Sequence, residues 1–182
     1  MCSSDLDARE AAFRVRLGDL DRARELLDDA ERGPHGGAMI SADHVRTLIG
    51  SVRTSLRLES GDPAGAAEAL EKTYASALKA QDLPLLSLVA VNAAALADAH
   101  GEHHEAAVLL GAASRLRGAH DRTDRQIGEL TRRGRAALGD DVFAAAYAKG
   151  WELDGKTATT AVDPTGRRAD RKPDADRGRG GV

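Results

Sequence analysis

At 182 residues the chain is one domain's worth of polypeptide, long enough for a substantial core. Aromatic residues make up only 3%, so that core must be Ala, Leu and Val packed between closely spaced helices, and a net charge of −3 supplies no global basic field for nucleic acid. One cysteine, Cys2, excludes an internal disulfide framework and makes the cytoplasm the expected compartment. The longest apolar stretch, Leu83 to Ala97, is interrupted by Pro84, Ser87 and Asn92 and is too short for a membrane span. No basic segment followed by an apolar one marks a secretion signal. Arg (21) heavily outnumbers Lys (5), a bias typical of GC-rich genomes, so part of the Arg count reflects codon usage.

In chain order, Met1 to Leu6 can be encoded by a common sequencing-adapter end read in frame. Residues 1–6 are therefore expected to be extraneous, with the true protein continuing upstream. Asp7 to Leu17 and Asp19 to Arg32 form a helix pair broken at Gly18, and the Gly33 to Gly37 loop, GPHGG, follows. Ser41 caps a long helix ending near Ser60. Gly61, Asp62 and Pro63 then supply a terminator, a cap and a first-turn proline for a helix reaching about Gln81. Leu83-Pro84 opens the next, which ends at His100-Gly101, and Glu102 to Arg117 pairs with it. Thr123 or Asp124 caps a seventh helix ending at Leu138-Gly139, and Asp140 or Asp141 starts an eighth ending at Lys149-Gly150. No segment alternates as a half-buried strand would. The expectation is an all-α domain of about eight helices over residues 7–162. From Asp163 to Val182 there is almost nothing to bury, and this net-positive tail is expected to be disordered.

A ten-residue pattern returns three times: GDLDRARELL at Gly18, GDPAGAAEAL at Gly61 and GEHHEAAVLL at Gly101, spaced 43 and 40 residues apart. Gly ends one helix in a left-handed cap and the acid caps the next. A small Ala lets two helices approach, and Leu fills the space between them. These hairpins resemble tetratricopeptide-type repeats, lengthened beyond that family's usual period. The resemblance implies a right-handed superhelix whose concave groove is lined by the first helix of each hairpin. The stretch from Ala106 to Ala158 resembles the C-terminal end of large bacterial regulators of the SARP/AfsR type, which carry a bacterial transcriptional activator domain. Related LuxR- and MalT-type regulators have similar ends. In those proteins a DNA-binding winged helix and an NTPase module precede the repeats. The resemblance implies a non-catalytic regulatory arm whose partner is protein, either the NTPase module or another chain, with no direct contact to nucleic acid or membrane. A free-standing adaptor is the alternative, and a nucleotide-binding enzyme the weaker one.

That last alternative rests on Gly150 to Thr157, GWELDGKT, which fits the phosphate-loop pattern letter for letter. What precedes it reads as a helix rather than a strand, and Trp151, Glu152 and Asp154 stand where a triphosphate would sit. Coincidence is the better reading, and no cofactor is expected. His100, His103 and His104 lie beside Glu102 and Glu105, but the Gly101 turn interrupts the helical spacing a metal pair needs, so no metal is expected. Seven Arg stand against three acids between Arg115 and Arg135, without the interleaved aromatics of a nucleic-acid surface. Phe143, Tyr147 and Trp151 recur every four residues, as a helix closing the end of the stack or as a partner-binding ridge. Asn92, the only Asn in the chain, lies among apolar residues at the repeat position held by Arg9 and Val52 in the other hairpins. By the resemblance that position faces the groove, which makes Asn92 the one candidate partner-binding residue. A local structural hydrogen bond is the competing role.

Overall fold

The computed structural model describes residues 3–33, 41–121 and 123–166. Among these residues the chain is all-α and contains no strand. The helices are α1 (Ser3–Leu17), α2 (Leu20–Arg32), α3 (Ala42–Glu59), α4 (Pro63–Ala80), α5 (Leu83–Ala99), α6 (His103–Arg117), α7 (Arg125–Leu138), α8 (Asp140–Trp151) and α9 (Gly155–Ala161). A last helical turn follows at 164–166.

The three repeated turns are built alike. Gly18, Gly61 and Gly101 have φ values of 77°, 72° and 76°, the left-handed region that glycine alone enters without strain. In each, the Gly N–H reaches the carbonyl three residues back and the following acid's N–H the carbonyl five back: Val15 and Arg14, Leu58 and Arg57, Asp98 and Ala97. That bond pair is the Schellman motif. Behind each turn the template Ala (Ala23, Ala66, Ala106) and the final Leu (Leu27, Leu70, Leu110) are buried. The acid departs from expectation. Only the Asp62 side chain caps, accepting from Gly65 N at 2.8 Å. Asp19 and Glu102 make no side-chain cap bond, and Asp19 is turned back to Arg14 at 3.3 Å. Elsewhere Ser41, Asp82 and Asp124 cap α3, α5 and α7 through their side chains.

Hairpins α1–α2, α3–α4 and α5–α6 stack so that each new first helix touches both helices of the hairpin before it. Helix α5 is the centre of the stack, held by α3, α4, α6 and α7. That explains its composition: from Leu85 to Ala97 only Leu88 escapes full burial, and a helix apolar all round needs neighbours all round. Helix α6 meets α8 backbone to backbone. A Cβ at Gly111 would collide with the Tyr147 carbonyl oxygen, and one at Gly150 with that of Val108.

Three boundaries differ from the sequence expectation. Helix α1 starts at Ser3, not Asp7, because Ser4 and Asp5 are buried and Asp5 pairs with Arg9 at 3.2 Å. Helix α8 continues through Gly150 to Trp151, since packing on α6 holds that glycine helical. A ninth helix, α9, follows it. Asp154 caps α9 by accepting from Lys156 N and Thr157 N, Ala158 and Val162 bury against the core, and Tyr74 of α4 donates to the Thr159 carbonyl at 3.1 Å. Of the expected tail, residues 163–166 are described and Pro164 is buried; 167–182 lie outside the described residues, as do 34–40, which include all of the expected Gly33 to Gly37 loop but Gly33.

Candidate interaction groove

The first helices of the hairpins turn one common face toward a cavity of about 420 Å³. Helix α1 contributes Asp5, Arg9, Ala12 and Arg16, spaced by four, three and four residues. Those positions recur one repeat later as Leu48, Val52, Ser55 and Glu59 of α3, and in α5 as Leu88 and Asn92. Helix α7 closes the far end with Asp124, Arg125, Gln126 and Glu129. The volume lies within the range of small-molecule and peptide-side-chain pockets.

The equivalence of Arg9, Val52 and Asn92, read from the repeat template, is thus realised in space: all three line this groove. Asn92 is 1% exposed and is also held from below. Its Nδ2 donates to the Ser51 carbonyl at 3.3 Å, and Ser55 Oγ lies 3.3 Å from its Oδ1. The amide therefore has a structural bond to α3 and a place on the groove wall together. Ser51 completes the floor with a buried hydroxyl that has no hydrogen-bond partner among the described residues. Its oxygen is shielded from solvent, so it lies beneath the wall of the cavity and is not presented to it. Nothing in the template pointed to Ser51, because its position carries Ala8 in α1 and Val91 in α5.

Charge around the groove is mixed. Arg9 pairs with Asp5 and Arg125 with Glu129 at 2.8 Å. Arg125 holds the Glu129 carboxyl below its ordinary range, chiefly through that hydrogen bond. Such a surface offers neither an anion clamp nor an acidic cradle.

The other candidates lie apart from the groove, Arg125 on its wall excepted. His100 donates from Nδ1 to the Leu96 carbonyl, while His103 faces Asp98 Oδ1 at 3.0 Å. Asp98 also accepts from Arg133 at 2.7 Å, so it ties α5, α6 and α7 together. Among the described residues no group of three or more His, Cys, Asp or Glu is placed to hold a metal. Of the seven arginines from Arg115 to Arg135, Arg117, Arg125, Arg133 and Arg135 form ion pairs; Arg122 lies outside the described residues. The aromatic stripe packs against its neighbours: Phe143 is buried against Gly134 of α7, Tyr147 donates to Ser114 Oγ at 2.6 Å, and the Trp151 ring lies tilted by 32° against His120, with centroids 4.1 Å apart.

At Gly150 to Thr157 the arrangement a phosphate loop requires is missing. Gly150 and Trp151 belong to a helix. The amides of Lys156 and Thr157, which would cradle a phosphate, are taken by Asp154 Oδ1 at 2.9 and 3.0 Å. Thr157 donates its hydroxyl to the same carboxylate, the largest cause of an Asp154 pKa below the usual range. No described helix is long and apolar enough to cross a membrane.

No family model, curated protein or solved structure matches the chain.

Proposed function

We propose that this chain is a non-catalytic protein-interaction arm of a larger, cytoplasmic bacterial transcriptional regulator of the SARP/AfsR type, the class with a bacterial transcriptional activator domain. The observation that supports it is the groove: one helix face repeated on α1, α3 and α5 and closed by α7, with Asn92 on its wall. The partner is protein, either an NTPase module in the same polypeptide or a separate chain. Occupancy of the groove biases how the arm packs on that module, shifting a two-state equilibrium by the difference in affinity between the states. The arm itself takes no nucleic acid.

Two measurements test this. The reading frame upstream of Asp7 should encode a winged helix and an NTPase module, and a stop codon just upstream would overturn the regulator reading. That module, expressed separately, should bind the chain, and Val52→Arg in the groove should weaken binding about tenfold or more. Unchanged affinity in a variant with an unaltered unfolding midpoint would remove the groove from the interaction.

A further inference from the structure

Helix α7 stands where the first helix of a fourth hairpin would, seated on α5 and α6 as α5 is seated on α3 and α4. The helix after it does not support it in the same way. Helix α8 lies chiefly on α6, at the close approach of Gly111 and Gly150. Of the fourteen residues of α7 only Leu130 and Gly134 are buried, against twelve of seventeen in α5.

Its two halves are held differently. In the second, Arg133 Nε donates to Asp98 of α5 at 2.7 Å, and the Phe143 ring covers Gly134. The first half supplies Arg125, Gln126 and Glu129 to the groove, and its one apolar side chain, Ile127, is only partly buried against the core. The Arg125–Glu129 ion pair joins two residues of the same helix. Between them stands Gly128, with open space where a Cβ would be. A glycine inside a helix weakens it, and no close approach requires one here. Ahead of the helix, His120 is a tether to α8: its Nδ1 lies 2.7 Å from the Tyr147 hydroxyl and its ring lies against Trp151.

We propose that residues 125–130 are a folding wall of the groove: they unwind and re-form in the free chain, His120 limits the opening, and occupancy of the groove orders them. An occupant that touches Arg125 or Glu129 needs both in place. Its apparent affinity is therefore reduced by the fraction of time the wall is formed. For its occupant the wall rests on the protein-interaction reading; its unwinding in the free chain does not.

Amide exchange in the full chain tests this. The first amide bonded within or at the cap of its own helix is Gly128 in α7, Leu86 in α5 and Ala106 in α6, so helix ends can be compared at equal depth. Protection at Glu129 and Leu130 should be about tenfold or more below that at Ser87 and Leu88, or at Ala107 and Val108. Equal protection at the three places would overturn the proposal. His120→Ala, at an exposed residue, should lower protection at Glu129 and Leu130 about threefold further, with a midpoint shift of no more than about 2 °C. Unchanged protection in that variant would remove His120 from the device. Gly128→Ala should raise protection at the same two amides about threefold. Although Gly128 does not line the groove, the separate NTPase module should bind that variant about threefold more tightly than the unaltered chain. Bound to the unaltered chain, the module should raise protection at Glu129 and Leu130 about tenfold. Binding that leaves both amides unchanged would overturn the coupling of wall to occupant. A module that does not bind removes the protein-interaction reading, and the coupling with it; the comparison within the free chain is decided separately.

Discussion

Among the described residues, nine buried apolar ones form the core around α1, α2 and the near side of α3, and twenty-six form a single cluster from α4 to α9. The smaller core is wrapped in ion pairs, most of them exposed, such as Arg22–Glu25 and Arg24–Asp21. Exposed pairs contribute little, because solvent and salt screen them. Arg53 is the exception, with a side chain 14% exposed between two acids of α2. The larger core has few such pairs at its heart and instead brings α6 and α8 into backbone contact across Gly111 and Gly150. One repeat pattern thus supports two kinds of unit: one that holds itself together by packing, and one that leaves the apolar Phe13 exposed.

The strongest way to break that contrast is at the close crossing. Gly111→Leu should destabilise by about 3 kcal/mol or more, because the added side chain meets backbone that cannot yield. Gly128→Ala, a helical site where a Cβ meets open space, should stabilise by about 0.5–1 kcal/mol. Urea midpoints of the two variants should therefore move in opposite directions.

A sharper cut comes from Leu27→Ala, which removes the largest fully buried side chain of α2 at an expected cost of about 3 kcal/mol. Hydrogen exchange should show α1 and α2 losing protection while α5 and α6 keep theirs. Uniform loss across all helices would mean one cooperative unit and would dissolve the comparison.

The smallest effect is in acid, and it falls on the larger unit. Asp121 is held below its usual range chiefly by the Thr123 backbone N–H, and Asp154 chiefly by the Thr157 hydroxyl. A carboxylate with a lowered folded pKa contributes stability that is complete above its unfolded value, about 4, and is lost as pH falls through the folded value. Unfolding midpoints should therefore decline below about pH 4, and Asp154→Asn should flatten the decline. An unaltered pH profile in that variant would mean the α9 cap contributes nothing.

Much of this architecture was legible in the residues. Gly18, Gly61 and Gly101 mark left-handed turns because no other residue takes that backbone freely, and the Ala and Leu behind each mark the packed face. The same register carried Asn92 to the groove wall. What could not be read is where a glycine means closeness rather than a turn. Gly150 reads as a helix end and as the first letter of a nucleotide motif, yet it is buried inside the last turn of α8, where Gly111, 39 residues away, faces it. Helix α9 was missed because seven residues rich in Thr have weak propensity, and its docking on α6 supplies what its own residues lack. The signal was there in Asp154, three residues ahead of Thr157, as an N-cap.

The Tyr74 to Thr159 hydrogen bond joins residues 85 apart in a molecule otherwise assembled from neighbouring hairpins. Local contacts form quickly, whereas a clasp over that distance must wait for the chain between its ends to be in place. The docking of α9 is therefore expected late in folding and its release early in opening, which amide exchange faster in α9 than in α5 would show.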